Sequence, residues 1–182
     1  LFKIIRSMNH ETKTKISKDL LSKIVPLLST RLFPSKECLI DSITELIGCF
    51  EVDQKLVDEL KAAAMRQKSS YRASAINCIN KIIKTNSFKI ENSDLLNIMI
   101  DAMANGAIVA QIAAANCADF VKNEEKFAEF INKTYEKLNS VEFETADSFC
   151  KLVLDLPPHE IPQIFDKQRF IKLVASSKDR PE

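Results

Sequence analysis

Apolar residues recur at three- and four-residue steps along nearly the whole of this chain, a period that fits α-helix and little else. The pattern is sharpest in two neighbouring segments, Asp53 to Gln67 and Ser69 to Thr85. In the second, Ala75, Ile76, Ile79, Ile82 and Ile83 mark one buried helical face. In the first, Leu56, Leu60, Ala63 and Ala64 form the matching stripe, and Asp53 is placed to cap the helix by accepting its free N–H groups. The connection around Lys68 is so short that the two helices must run antiparallel. Neither buries its stripe fully without further helices on either side.

The rest of the sequence supplies such helices. One is expected from about Ser17 to Leu32, with Met8 to Lys15 before it as a polar connection and Pro26 kinking it from inside. Ser35 is a candidate cap for the next, whose stripe is Leu39, Ile40, Ile43, Leu46 and Ile47 and whose end is set by Gly48. Beyond Thr85 the pattern predicts helices over Asp94 to Asn105, capped by Ser93, and over Ala107 to Val121, where alanines surround most of the circumference. Two more follow over Glu124 to Leu138, capped by Asn123, and from Ser140 to Pro157-Pro158. Short helices are expected at His159 to Phe165 and Lys167 to Ala175, with a frayed tail after them. At the other end, Leu1 to Ile5 reads as the close of a helix begun earlier, so a piece of a longer protein is expected.

These elements group as helix pairs at about 17-49, 53-85, 93-121 and 123-155, with a partial pair at 159-175. First members begin near Ser17, Asp53, Ser93 and Asn123, at steps of 36, 40 and 30 residues, and Ala75-Ile76-Asn77-Cys78 recurs as Ala114-Ala115-Asn116-Cys117. Such spacing predicts an all-α fold, a single solenoid segment of HEAT or armadillo type over 1-182, and breaks the strict 34-residue period of tetratricopeptide repeats. Scarcity agrees: two glycines and no tryptophan leave little for tight β turns or phosphate-binding loops.

Residues 31 to 39, Arg31-Leu32-Phe33-Pro34-Ser35-Lys36-Glu37-Cys38-Leu39, with Ile43 and then Tyr71-Arg72-Ala73-Ser74-Ala75-Ile76-Asn77-Cys78, give a more particular likeness. The stretch from Ile24 to Thr85 resembles the C-terminal half of the large HEAT-repeat proteasome adapter and scaffold proteins. The resemblance implies a non-enzymatic scaffold that binds the regulatory and core particles of the proteasome and acts in tethering, assembly or quality control. Rival readings are another large HEAT-repeat protein (a nuclear transport receptor, a tubulin-binding array or a chromosome-organising subunit) and a helical appendage of a large ubiquitin ligase or kinase.

No catalytic or metal-binding motif stands against a binding role. GxxxxGK, HExxH and GxSxG are absent, so neither catalytic residues, cofactor nor metal is expected. His10 and His159 are the only histidines, and Pro157-Pro158 separates His159 from the nearest thiol, Cys150. Five cysteines, an odd number without CxxC spacing, read as reduced side chains of an intracellular protein. No apolar run approaches the about 18 residues of a membrane span, so a soluble protein of the cytoplasm or nucleus is expected.

Charge is the remaining signal. Residues 1 to 91 hold 16 Lys or Arg against 10 Asp or Glu, and residues 92 to 182 hold 10 against 15. In a solenoid this becomes a surface that is basic at one end. Arg31, Lys36, Lys68 and Arg72 fall near the turns within pairs and are expected to project from one ridge as partner-binding residues. Protein partners are expected; nucleic acid is not, because neither a large positive charge nor interleaved exposed aromatics are present.

Overall fold

A computed structural model describes residues 1–30, 35–66 and 70–138, together with Gln168 and Ile171. Among the described residues the fold is all-α: eight α-helices, one short 3-10 turn and no strand. The chain divides into two compact units, Leu1–Glu91 and Asn92–Glu182. The pairs expected at 17-49 and 53-85 fall in the first and those from 93 onward in the second. The helices expected after residue 140, including the partial pair at 159-175, lie outside the described residues apart from two isolated positions.

The first unit holds α1 (Phe2–Ser7), α2 (His10–Ser29), α3 (Lys36–Leu46), α4 (Gln54–Ala64) and α5 (Arg72–Lys84). Its contacts run in two rows: α2 packs on α4, and α1 on α3 and α3 on α5, while α2–α3 and α4–α5 bind the rows together. The caps explain the boundaries. Asp53 accepts from Leu56 N at 2.8 Å and starts α4 as expected, whereas Ser35 stands at the N-cap of α3 without a side-chain cap bond. Gly48 ends α3 in a left-handed conformation, φ +92°, that a residue with a Cβ adopts only at a cost.

One expected boundary is corrected here. Residues 10 to 15 are not a connection but the first turns of α2, because the Asn9 side chain accepts from Thr12 N at 2.9 Å and caps the helix. These turns are mostly exposed and held by polar bonds: Lys15 bridges Glu11 at 2.6 Å, the Thr14 hydroxyl donates to His10 O at 2.9 Å, and Lys13 reaches Glu45 of α3 at 3.3 Å. They carry no apolar stripe for a period analysis to find. The helix runs through Pro26 to Ser29.

Helices α3 and α5 keep register at an offset of 36 residues. Lys36 and Arg72 are their first residues, and Leu39, Ile40, Ile43 and Leu46 on α3 stand where Ala75, Ile76, Ile79 and Ile82 stand on α5. Every one of these ten side chains is buried. Ser42 and the Cys78 thiol are also equivalent and buried. Burial pushes the Cys78 thiol up to about 12, against smaller opposing effects of the Thr44 hydrogen bond and the Lys81 charge, so it stays protonated at neutral pH.

The second unit contains α6 (Asn92–Asn105), α7 (Ile108–Ala115) and α8 (Phe127–Leu138), with α7 and α8 both packed on α6. Helix α6 starts one residue before Ser93, the expected cap. Gly106 is required by close approach: a Cβ there would lie 2.4 Å from Ala102 O and 3.1 Å from the Ala110 Cβ. The expected helix from Ala107 to Val121 is interrupted after Ala115. Three-residue bonds replace four-residue ones, with Cys117 N donating to Ala114 O at 3.0 Å and Val121 N to Ala118 O at 3.1 Å, and Ala118–Phe120 forms the 3-10 turn. Ala110, Ala113, Ala114, Ala115 and Ala118 are buried as expected, whereas Ala107 is an exposed N-cap. Similar tight bonds from Val121 to Glu129 delay α8 until Phe127, so Asn123 does not cap it. Phe127, Phe130 and Ile131 are its buried face, the two phenyl rings 5.9 Å apart.

Candidate functional site

Two lysines of the first unit serve the fold before they serve a surface. The last carbonyls of a helix have no partner inside it, and a cation near them is favoured by the helix dipole. Lys36 Nζ donates to Leu28 O at the end of α2 and lies 5.6 Å from the centre of the Tyr71 ring. Lys81 Nζ donates to Thr44 O near the end of α3 at 2.7 Å. In the second unit Gln111 performs the same task, its amide donating to Gly106 O at 3.0 Å beyond the end of α6.

Lys36 and Arg72 therefore do not project from a ridge; they are 6% and 1% exposed. The physical reason lies in helix phase: each stands three and four residues before a pair of buried core positions, Leu39 and Ile40 or Ala75 and Ile76, and so points inward with them. Arg31 and Lys68 lie outside the described residues. Among the described residues, Arg66 is an exposed basic group at this end, and its guanidinium donates to the Tyr71 hydroxyl at 3.0 Å.

A concavity of the first unit lies elsewhere. An open groove of about 910 Å³ runs between α2 and the α3–α4 connection, with Leu21, Val25, Val52, Leu56, Phe50 and Phe88 as its apolar lining. Its lining is also polar. Among the described residues Lys18, Lys55 and Glu51 make no ion pair, while the Asp53 carboxylate is engaged as the α4 cap. A lining of apolar and polar groups together suits a segment of another protein.

At one end of the groove lies a contact between side chains 39 residues apart in sequence. Cys49 Sγ is 3.4 Å from His10 Nδ1. His10 is the first residue of α2, and the left-handed turn at Gly48 carries Cys49 out of α3 towards it. Cys49 N donates to Leu46 O at 2.9 Å, and Cys49 O accepts from the Ser17 hydroxyl at 3.0 Å, so the backbone on both sides of the thiol is fixed. Both residue types are visible in the sequence, but their proximity depends on α2 beginning at residue 10. Cys150 and His159 lie outside the described residues. Among the described residues, no group of three or more His, Cys, Asp or Glu is placed to hold a metal ion, and no helix is long and apolar enough to cross a membrane.

No protein family, curated protein or solved structure was found to match this chain.

Proposed function

We propose that this chain is a HEAT-type helical-repeat scaffold that binds other proteins, with the regulatory and core particles of the proteasome as its partners. The observation that carries the repeat reading is the 36-residue register of α3 and α5, buried position for buried position, with their pair members α2 and α4 packed in a parallel row. Units that repeat in this way stack by nearest-neighbour contacts and leave long surfaces for partners. The proteasome reading rests on the resemblance of the stretch from Ile24 to Thr85, and a cytoplasmic or nuclear location goes with it. Partner contact is assigned to the groove of the first unit, since Lys36 and Arg72 are occupied inside the fold.

Affinity purification of the tagged chain, followed by mass spectrometry, tests both parts. Proteasome subunits are expected with the wild type. Their recovery should fall about tenfold or more in Val25→Asp/Phe50→Asp, because apolar anchors at the centre of an interface carry about 2 kcal/mol or more each. Far-UV circular dichroism of the variant should be unchanged. Absence of proteasome subunits from the wild-type sample would overturn the partner, and full recovery with the variant would move the contact away from the groove.

A further inference from the structure

We propose that Cys49 and His10 form a nucleophilic thiol site beside the first unit's groove, open to exchange with a low-molecular-weight disulfide. A thiol reacts as its thiolate, and an imidazole within hydrogen-bond reach supplies the base that generates it. The 3.4 Å contact between Cys49 Sγ and His10 Nδ1 meets that requirement in the tautomer that leaves Nδ1 unprotonated. The thiol is half-buried and the imidazole exposed, so a co-reactant reaches the sulfur while the base exchanges protons with water.

The site differs from the other described cysteines. Cys78 and Cys117 are fully buried, and Cys117 donates to Ala113 O at 3.4 Å. Cys38 is half-buried like Cys49 but has no histidine beside it. Cys49 alone among them lines the groove, which offers space for the incoming molecule. The charged groups around the thiol are Lys13 and Glu45, bonded to each other at 3.3 Å, and Lys18, Glu51, Asp53 and Lys55 along the groove. The groove lining thus carries two cations, Lys18 and Lys55, and two carboxylates, Glu51 and Asp53, so its charge selects no sign of co-reactant.

The exchange balances without any further reagent. The Cys49 thiol passes its proton to His10 Nδ1, the thiolate attacks one sulfur of the disulfide, a new S–S bond forms and the old one breaks. The departing thiolate takes the proton back from His10. Cys49 is oxidised to a mixed disulfide and the co-reactant is reduced to one thiol. The adduct then lies beside the groove, next to the bond from the Ser17 hydroxyl to Cys49 O. This inference stands apart from the proteasome reading, since it depends only on the thiol and its neighbours.

The test treats the native chain with oxidised glutathione and follows each cysteine by peptide mapping across pH 5 to 9. Cys49 is expected to form the adduct about tenfold faster than Cys38 at neutral pH, a difference set by the histidine base. His10→Gln should slow Cys49 to the rate of Cys38 at each pH, leaving Cys38 unchanged. The fully buried Cys78 reports folding: it should stay unmodified in both proteins. Equal rates at Cys49 and Cys38 in the wild type would overturn the proposal, whatever the variant does. So would an unaltered Cys49 rate and profile in a folded His10→Gln.

Discussion

Replacing Ile76 with alanine is expected to destabilise the first unit by about 2 to 5 kcal/mol in a denaturant titration, because it removes a branched side chain from a closed core. Ile76 is 0% exposed, on a helix that packs against both α3 and α4. Part of the loss is transfer of the removed atoms to water and part is the cavity left between helices that relax only partly. Its register equivalent Ile40, also 0% exposed, should cost a similar amount on truncation. The exposed neighbour Asn77 should change stability by no more than about 0.5 kcal/mol. A loss below about 1 kcal/mol at Ile76 would mean that the α3–α5 row is not the core of this unit.

The opposite change tests the second unit. Ala114→Leu should destabilise by about 1 to 3 kcal/mol through overpacking, since Ala114 is 0% exposed on a helix whose inner face is made of small residues. Tightness at this place has an independent measure in Gly106, where an added Cβ would come within 3.1 Å of the Ala110 Cβ. Val109 on the exposed side of α7 serves as the control, and its replacement by leucine should be close to neutral. An unchanged denaturation midpoint for Ala114→Leu would show room where the packing allows none.

The contrast between what the sequence told and what it withheld follows one rule: a helix is legible where it has two unlike faces. Helices α3, α4 and α5 do, and their stripes, the Asp53 cap and the Gly48 stop were readable from residue order. The first turns of α2 were not, because their residues are polar even where Lys13 meets Glu45, and only Asn9 marks the start. The region after Ala115 misled in the other direction. Its apolar pattern continues without a break, yet Cys117, Ala118 and Val121 are buried from a 3-10 turn as readily as from an α-helix. At the candidate site, charge was taken as exposure for Lys36 and Arg72. The signal against that was present, since both fall in phase with the inward residues that follow them. The pairing of Cys49 with His10 carried no local signal, being a product of how the start of α2 lies beside the end of α3.

Backbone amide hydrogen exchange of the chain, with and without purified proteasome, tests the scaffold account most directly. The account predicts slowed exchange on binding in the segments that line the groove, residues 14–26 and 49–56, with the α3 and α5 core already protected in the free chain. An exchange pattern that proteasome leaves unchanged at every position, in a chain whose core amides are protected, would contradict it.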